Sequence, residues 1–136
     1  MRGFLDTNIL LDYLNPRGAF TEQALRVLLL VTNQKHTLLV ADMSIVNIRY
    51  VTRKEISQDK FYQIIKRLEK HIVIIDMGEP AITRAIEAKW IDFEDAVQYY
   101  AAEEAHADVI ITRNKKDFVS ALLPIFTPEE FIQNYS

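Results

Sequence analysis

Acidic and amide side chains stand at several separate places in the chain where they could bind one metal ion together. They are Asp6, Asn8, Asn47, Asp95 and Asn114. Carboxylates brought together repel unless a cation neutralises them, and hard divalent cations such as Mg²⁺ and Mn²⁺ take oxygen ligands and usually keep several waters. Asp6 and Asp95 could therefore hold such an ion, with the amides supplying neutral oxygens or orienting water. A bound ion of this kind can activate water and stabilise an in-line displacement at phosphorus.

The composition limits the other chemistries open to this chain. It has 136 residues, a net charge of -3 and no cysteine, so disulfides and thiolate metal sites are excluded. The three histidines (His36, His71 and His106) are too scattered in the sequence to suggest a zinc site. A general nucleic-acid coat protein would be basic, whereas an acidic enzyme can still cleave RNA if basic residues cluster near its site.

The length and the apolar runs indicate one compact, soluble unit. No apolar run is long enough to predict a membrane span, and Asp6 interrupts the N-terminus too early for the core of a signal peptide. The chain is long enough to bury a hydrophobic core of its own. We therefore expect residues 1–136 to form a single domain of a cytoplasmic protein with no membrane partner.

The chain alternates short β-type runs with longer helical patterns. Strands are predicted at residues 3–5, 37–41, 72–75, 108–112 and 124–127. Helices are predicted at residues 20–31, 44–54, 79–88 and 92–105, with further helices starting at Ser57 and Thr127. The 92–105 pattern predicts a buried stripe that includes Phe93.

This alternation predicts an α/β fold with a mostly parallel five-stranded sheet and helices on both faces. The middle runs are continuously apolar, which is typical of strands buried on both faces of a parallel sheet. Ligands of such sheets bind outside the carboxyl ends of the strands. Asp6 and Thr112 leave two of those ends, so we expect the site there.

Four segments resemble, in order, the motifs of the PIN-domain family, which includes VapC-like toxins. They are Asp-Thr-Asn-Ile-Leu-Leu-Asp at 6–12, Ser-Ile-Val-Asn at 44–47, Asp-Phe-Glu-Asp-Ala at 92–96 and Thr-Arg-Asn-Lys-Lys-Asp-Phe at 112–118. The resemblance covers essentially the whole chain. It departs from the usual family pattern at Asn47 and Asn114, where the family usually has acids, and so is to a subgroup with Asn at both positions.

The resemblance implies a single PIN-like domain that hydrolyses RNA phosphodiester bonds as an endoribonuclease with Mg²⁺ or Mn²⁺. It further implies the toxin of a type II toxin–antitoxin pair, a homodimer, and a cognate antitoxin that fills the groove. The implied metal ligands are Asp6 and Asp95, and Glu94 and Asp117 could compensate for the missing acids at Asn47 and Asn114. A neutral amide in place of a carboxylate should lower metal affinity.

Further residues receive supporting roles from the same resemblance. Thr7, Asn8 and Thr112 would fix the geometry of carboxylates and water around the ion. Basic residues close to the site would contact RNA phosphates. They are Arg113, Lys115 and Lys116, with Arg49 and Arg53 on the helix of Asn47.

Plainer interpretations of the same residues stay open at this point. Asp6 and Asp92 are both good N-cap residues for the helices that follow them. Asn47 could make a structural hydrogen bond, as buried amides usually do. The basic residues 113–116 could form a solvated loop.

Three other functions compete with the ribonuclease. A non-enzymatic PIN-like module that binds RNA or protein would agree with Asn47 and Asn114. A phosphoacceptor receiver domain needs an acid pair after its first strand and a lysine near the last, and only Asp6 stands at the former place. A nucleotide-cofactor enzyme would need a glycine-rich phosphate loop, which three glycines do not provide.

Overall fold

Five parallel strands form one sheet in the computed structural model, which describes residues 1–15, 18–33 and 35–135. The strands are β1 (Arg2–Leu5), β2 (Thr37–Ala41), β3 (Ile72–Ile75), β4 (Val109–Ile111) and β5 (Ile125–Phe126). Their order in the sheet is β3-β2-β1-β4-β5, and every neighbouring pair is parallel. The predicted fold class is therefore confirmed.

Seven α-helices connect and follow the strands in the described residues. They are α1 (Thr7–Leu14), α2 (Thr21–Leu29), α3 (Asp42–Thr52), α4 (Gln58–Leu68), α5 (Gly78–Ala88), α6 (Phe93–Glu104) and α7 (Pro128–Tyr135). Two short 3₁₀ helices cover Leu30–Asn33 and Lys115–Phe118. Each helix predicted from the sequence is present, and the second 3₁₀ helix replaces the open loop considered for residues 113–116.

The helices lie on both faces of the sheet because successive residues of a strand point in opposite directions. Leu5 and Ile111 pack on one face, in a core built with α1, α2, α3, α4 and α7. Phe4 and Ile110 pack on the other face against α6. Helix α6 also packs on α5 through alanines, which allow the two helices to approach closely.

The helix starts follow from local hydrogen bonds of polar side chains. The Ser57 hydroxyl accepts a hydrogen bond from the Lys60 amide at the start of α4. At the start of α7, Thr127 Oγ1 accepts from the Glu130 amide and Glu130 Oε1 accepts from the Thr127 amide. This reciprocal capping box, followed by Pro128 in the first turn, confirms the predicted start.

Two predictions of burial are wrong. Val73 and Ile74 of β3 are exposed, although the 72–75 run suggested burial on both faces. The reason is that β3 is an edge strand, paired only with β2, and an apolar run does not report a strand's place in the sheet. Phe93 is 53% exposed because it begins α6, outside the stripe that packs on α5.

No helix in residues 1–15, 18–33 and 35–135 is long and apolar enough to cross a bilayer.

Candidate metal centre

The carboxyl ends of β1, β2 and β4 bring three polar segments to one edge of the sheet. Asp6 follows β1, α3 begins directly after β2, and Thr112 follows β4. The Asp6 amide donates to the Ile111 carbonyl at 3.0 Å, which continues the β1–β4 pairing to the last residue before α1. Although Asp6 stands at the N-cap position of α1, its side chain makes no capping hydrogen bond. Capping therefore does not explain this carboxylate.

The Asp6 carboxylate is buried among hydrogen-bond donors. Thr112 Oγ1 donates to Asp6 Oδ2 at 2.7 Å, and Thr112 is itself fully buried. Burial raises the pKa of the Asp6 carboxyl, whereas hydrogen bonds from Thr112, the Thr7 amide and Gln98 lower it. The nearby charge of Glu94 raises the same pKa. Asp6 is thus held in place by protein donors while close to other acids.

Asp95 lies in the first turn of α6 and is half-buried. Asp92 is the N-cap of this helix, because its Oδ1 accepts the Asp95 amide at 2.9 Å. Burial, followed by the charges of Asp6, Asp92, Asp117 and Glu94, raises the pKa of Asp95 to about 7. Asp6 and Asp95 are therefore close enough for their charges to interact, although they are far apart in sequence.

Glu94 and Asp117 add negative charge around this pair. Asn47 Nδ2 donates to Glu94 Oε1 at 3.4 Å, so the amide on α3 contacts an acid on α6. Asp117 lies in the 3₁₀ helix, and its amide donates to the Asn114 carbonyl at 3.0 Å. In the part of the chain that the structure describes, no group of three or more His, Asp or Glu side chains is arranged to hold a metal ion. Asp6 and Asp95 are the two carboxylates at this edge that could act as direct ligands of an ion.

A buried polar cluster, which the sequence did not indicate, lies next to Asp6. Thr7 Oγ1 is 2.6 Å from Ser44 Oγ, and both Thr7 Oγ1 and the Thr7 amide donate to Gln98 Oε1, at 3.1 and 3.2 Å. Ser44 and Gln98 are each 1% exposed. The only available signal was a polar residue on an otherwise apolar helical face, since buried polar groups need partners.

On the other side of Asp6, the segment after β4 is supported by Asn8. Asn8 Nδ2 donates to Thr112 Oγ1 at 3.3 Å, and Asn8 Oδ1 accepts from the Arg113 amide at 3.4 Å. The Asn114 amide also donates to Thr112 Oγ1, at 3.1 Å. The expected supporting positions of Thr7, Asn8 and Thr112 thus lie around one carboxylate. The side chain of Asn114 is exposed.

The basic residues near this edge are engaged in ion pairs. Arg113 Nε and Nη2 donate to the two oxygens of Asp12 at 2.5 and 3.2 Å, and the guanidinium lies 4.5 Å from the centre of the Phe20 ring. Lys115 Nζ contacts both carboxylate oxygens of Glu130, at 3.1 and 3.2 Å. Asp12 belongs to the first motif, but its pairing with Arg113 was not predicted.

Arg49 of α3 and Arg53, the residue directly after α3, also make intramolecular contacts. Arg49 donates to the Ile56 carbonyl at 2.9 Å, and Arg53 donates to the Tyr50 carbonyl at 2.6 Å and lies over the Tyr50 ring. Both follow Asn47 along a helix that starts at the sheet edge. Lys116 is exposed.

Solved toxin–antitoxin structures are similar to this chain. VapBC2 from Rickettsia felis, bound to a DNA fragment from its promoter, has a TM-score of 0.68 and 19% identity, over 93% of this chain and 97% of that chain. A toxin–antitoxin complex from Klebsiella pneumoniae has a TM-score of 0.69 and 20% identity, also over 93% and 97%. VapC20 from Mycobacterium tuberculosis, a sarcin–ricin loop cleaving toxin, has a TM-score of 0.62 and 13% identity, over 79% and 86%. Identities this low show the shared fold.

Family membership rests on a match to the sequence itself. Comparison with curated protein sequences gave no significant match. The family model of the PIN domain matches residues 2–116, which include Asp6, Asn47, Asp95 and Asn114. This match spans most of the chain and the whole sheet edge described above, so the chain belongs to the PIN domain family.

Proposed function

We propose that this chain is a metal-dependent endoribonuclease that acts as the toxin of a type II toxin–antitoxin pair. The observation that carries the proposal is the approach of Asp6 and Asp95, whose mutual repulsion contributes to an Asp95 pKa of about 7. The fold shared with VapC proteins supports it, and one of these, VapC20, is a toxin that cleaves the sarcin–ricin loop.

A Mg²⁺ or Mn²⁺ ion fits this pair of carboxylates. Mg²⁺ is usually bound through one or two carboxylates and keeps several waters, so a cage of three acids is not required. When bound, the ion would activate water and stabilise the charge that develops at phosphorus. Asn47 and Asn114, which would place the chain in an amide-bearing subgroup, lower the charge of the site, and Glu94 and Asp117 restore part of it.

The protein's own side chains would set the geometry of the reaction. Thr112 fixes Asp6 Oδ2 by donating to it, which restricts rotation of the carboxylate. Asn47 orients Glu94 through its amide, and Glu94 acts on both Asp6 and Asp95 through its charge. The site would thus keep its acids in a fixed arrangement before an ion binds, which lowers the cost of binding.

Lys115 and Lys116 are the side chains best placed to bind RNA phosphates. The Lys115–Glu130 pair is 46% and 40% exposed, and such surface pairs are weak enough to exchange for a phosphate. The Arg113–Asp12 pair is 28% and 12% exposed and makes two hydrogen bonds, which makes exchange costly. Arg49 and Arg53 would have to leave backbone carbonyls to contact RNA.

A groove between α1, α3 and α4 is the proposed docking site for the antitoxin. It has a volume of about 770 Å³, and apolar side chains such as Leu11, Val51, Ile56 and Ile64 line it together with Glu55 and Lys60. The solved toxin–antitoxin complexes with this fold support a protein partner. The proposed homodimer agrees with exposed Ile82 and Ile86 on α5. Light scattering of the protein alone and with its antitoxin would test both.

The ribonuclease is tested by incubating purified protein with structured RNAs in Mg²⁺, Mn²⁺ or EDTA. Cleavage should require the metal and disappear in Asp6→Asn and Asp95→Asn. A matched control is Asp76→Asn, an exposed carboxylate that follows the edge strand β3, and it should cleave as the wild type does. Cleavage that survives both site variants would refute the assignment of the site.

A second candidate is a PIN-like module with little or no catalytic activity that binds RNA or protein. This alternative is favoured by the amides at Asn47 and Asn114, and by the lack of a third carboxylate ligand in the described residues. It predicts no metal-dependent cleavage by folded protein, with RNA binding that EDTA leaves unchanged.

A further inference from the structure

Three helices that carry the site meet in the buried cluster of Thr7, Ser44 and Gln98, here called the polar junction. Thr7 begins α1 next to Asp6, Ser44 lies one turn before Asn47 on α3, and Gln98 lies one turn after Asp95 on α6. The junction contains the Thr7–Ser44 contact of 2.6 Å and two hydrogen bonds from Thr7 to Gln98 Oε1. It therefore links the backbone positions of all three elements.

Gln98 is the member of the junction that connects α6 to the residue next to Asp6. Its Oε1 accepts from the Thr7 amide and hydroxyl, and Gln98 is also among the groups that lower the pKa of the Asp6 carboxyl. Residues three apart on a helix lie on the same face. Gln98 thus ties Asp6 to the face of α6 that carries Asp95.

The hydrogen bonds of Gln98 explain why a glutamine stands at this buried place. A buried carboxamide loses its hydrogen bonds to water, and the lost free energy is recovered only if hydrogen bonds within the protein replace them. An apolar side chain would pack beside the buried Ala101 and Ala102, one turn along α6, but would leave the Thr7 amide and hydroxyl without their acceptor. What the amide adds over such a side chain is a fixed position for Asp6 and Thr7.

We propose that Gln98 is a positioning residue that holds Asp6 at the distance from Asp95 that a divalent ion requires. This inference rests on the proposed metal centre but not on RNA cleavage. Loss of the Gln98 amide would free the start of α1, and Asp6 next to it, from α6. The ion would then have to order the two carboxylates itself, so its affinity would fall.

The test measures Mn²⁺ binding by isothermal titration calorimetry in wild type and Gln98→Met. Outer-shell partners of a metal site typically contribute 10- to 100-fold to affinity, so we expect a loss of about tenfold in Gln98→Met. Its melting temperature in EDTA should fall, because the Thr7 amide loses its acceptor, and binding is therefore measured at a temperature where the variant is folded. The matched control is Thr52→Val, which removes another buried hydroxyl that bonds only within α3. It should bind Mn²⁺ as the wild type does.

A second pair of variants keeps the inference testable if Gln98→Met does not fold. Thr7→Ser keeps the hydroxyl that donates to Gln98 and should bind Mn²⁺ normally, whereas Thr7→Val should lose affinity as Gln98→Met does. If the wild type cleaves RNA, the variants with lower Mn²⁺ affinity should regain cleavage at high Mn²⁺ concentration. A misfolded site would not regain cleavage in this way.

The outcomes separate this inference from the proposed function. Folded Gln98→Met or Thr7→Val with wild-type Mn²⁺ affinity would overturn the positioning role. Absence of Mn²⁺ binding by the wild type would remove the metal centre and this inference with it. Wild-type Mn²⁺ binding that weakens in Gln98→Met, without cleavage of any RNA, would support the positioning role and contradict only the ribonuclease.

Discussion

The two carboxylates of the site have different neighbours, although burial raises the pKa of both. Donors from Thr112, Thr7 and Gln98 surround Asp6 and offset part of the cost of its burial. Asp95 is affected by burial and by four other acids, and all five effects favour its protonated form. A cation bound at this edge would therefore displace a proton from Asp95 near neutral pH.

The first prediction concerns the stability of the metal-free protein. Folded Asp95 keeps its proton up to about pH 7, whereas an unfolded aspartate loses it near pH 4, about its ordinary pKa. The folded state therefore binds more protons in this window, and the free energy of unfolding should fall as the pH rises through it. Asp95→Asn has no proton to lose and should show a weaker fall.

Urea unfolding in EDTA at pH 5, 6, 7 and 8 measures this difference. Above about pH 7 the variant should be more stable than the wild type, and added Mn²⁺ should stabilise only the wild type. If the free energy of unfolding depends on pH equally in the two proteins, the neighbouring acids do not raise the pKa of Asp95.

A second prediction concerns the hydroxyl that donates to Asp6. Thr112→Val keeps the shape of the side chain but leaves Asp6 Oδ2 and Asn8 Nδ2 without their bond to it. A buried acceptor left unsatisfied costs about 1–3 kcal/mol, so urea unfolding should show a loss of this size at pH 8. Thr112→Ser keeps the hydroxyl and should recover most of the loss, and equal losses in both variants would mean that packing of the methyl group is what counts.

The sequence allowed the acids of this site to be predicted, together with the supporting residues Thr7, Asn8 and Thr112, but not the hydrogen bonds that join Thr7 to Ser44 and Gln98. Asp6 and Thr112 directly follow apolar runs, so a parallel sheet alone brings them to one edge. Gln98 and Ser44 sit inside helices, where their neighbours depend on how α1, α3 and α6 pack. The only indication in the sequence was a polar residue on an apolar helical face, and such a residue does not identify its hydrogen-bond partner.

At the scale of elements, the Asp12–Arg113 pair joins the end of α1 to the segment after β4. The same segment supplies Thr112 to Asp6, and Phe20 covers the guanidinium from the loop before α2. The pairing could not be read from the sequence because its members are 101 residues apart. Burial of 72–75 was mispredicted for a related reason, since strand order is a property of the whole sheet.

The third prediction is that this pair stabilises the fold more than the surface pair does. Asp12→Asn removes the charge that accepts two hydrogen bonds from Arg113, and hydrogen bonds to charged groups contribute about 1.5–3 kcal/mol. Lys115→Met breaks the exposed Lys115–Glu130 pair without changing the cap of α7, and such pairs contribute about 0–1 kcal/mol. Urea unfolding measures the loss in free energy of unfolding for each variant. Equal losses would indicate that solvent screens both ion pairs alike.

At the scale of the whole molecule, charge sets how RNA can bind. The net charge is -3, and four of the five basic residues expected to contact RNA are engaged by Asp12, Glu130 or backbone carbonyls. Any nucleic acid must therefore approach an acidic protein through few available cations. Attraction at long range should be small, and recognition should depend on the metal ion and on close contacts.

The last prediction is a shallow dependence of RNA binding on salt. Each phosphate contact to a single strand contributes about -0.7 to the slope of log affinity against log salt concentration, so contacts from Lys115 and Lys116 give about -1.4. The slope is measured by fluorescence anisotropy with Asp95→Asn protein, which should not cleave. Lys116→Ala should reduce it to about -0.7, whereas Lys66→Ala on the exposed side of α4 should leave it unchanged. A slope near -3.5, about five contacts, would instead mean that Arg113, Arg49 and Arg53 leave their partners to bind the phosphates.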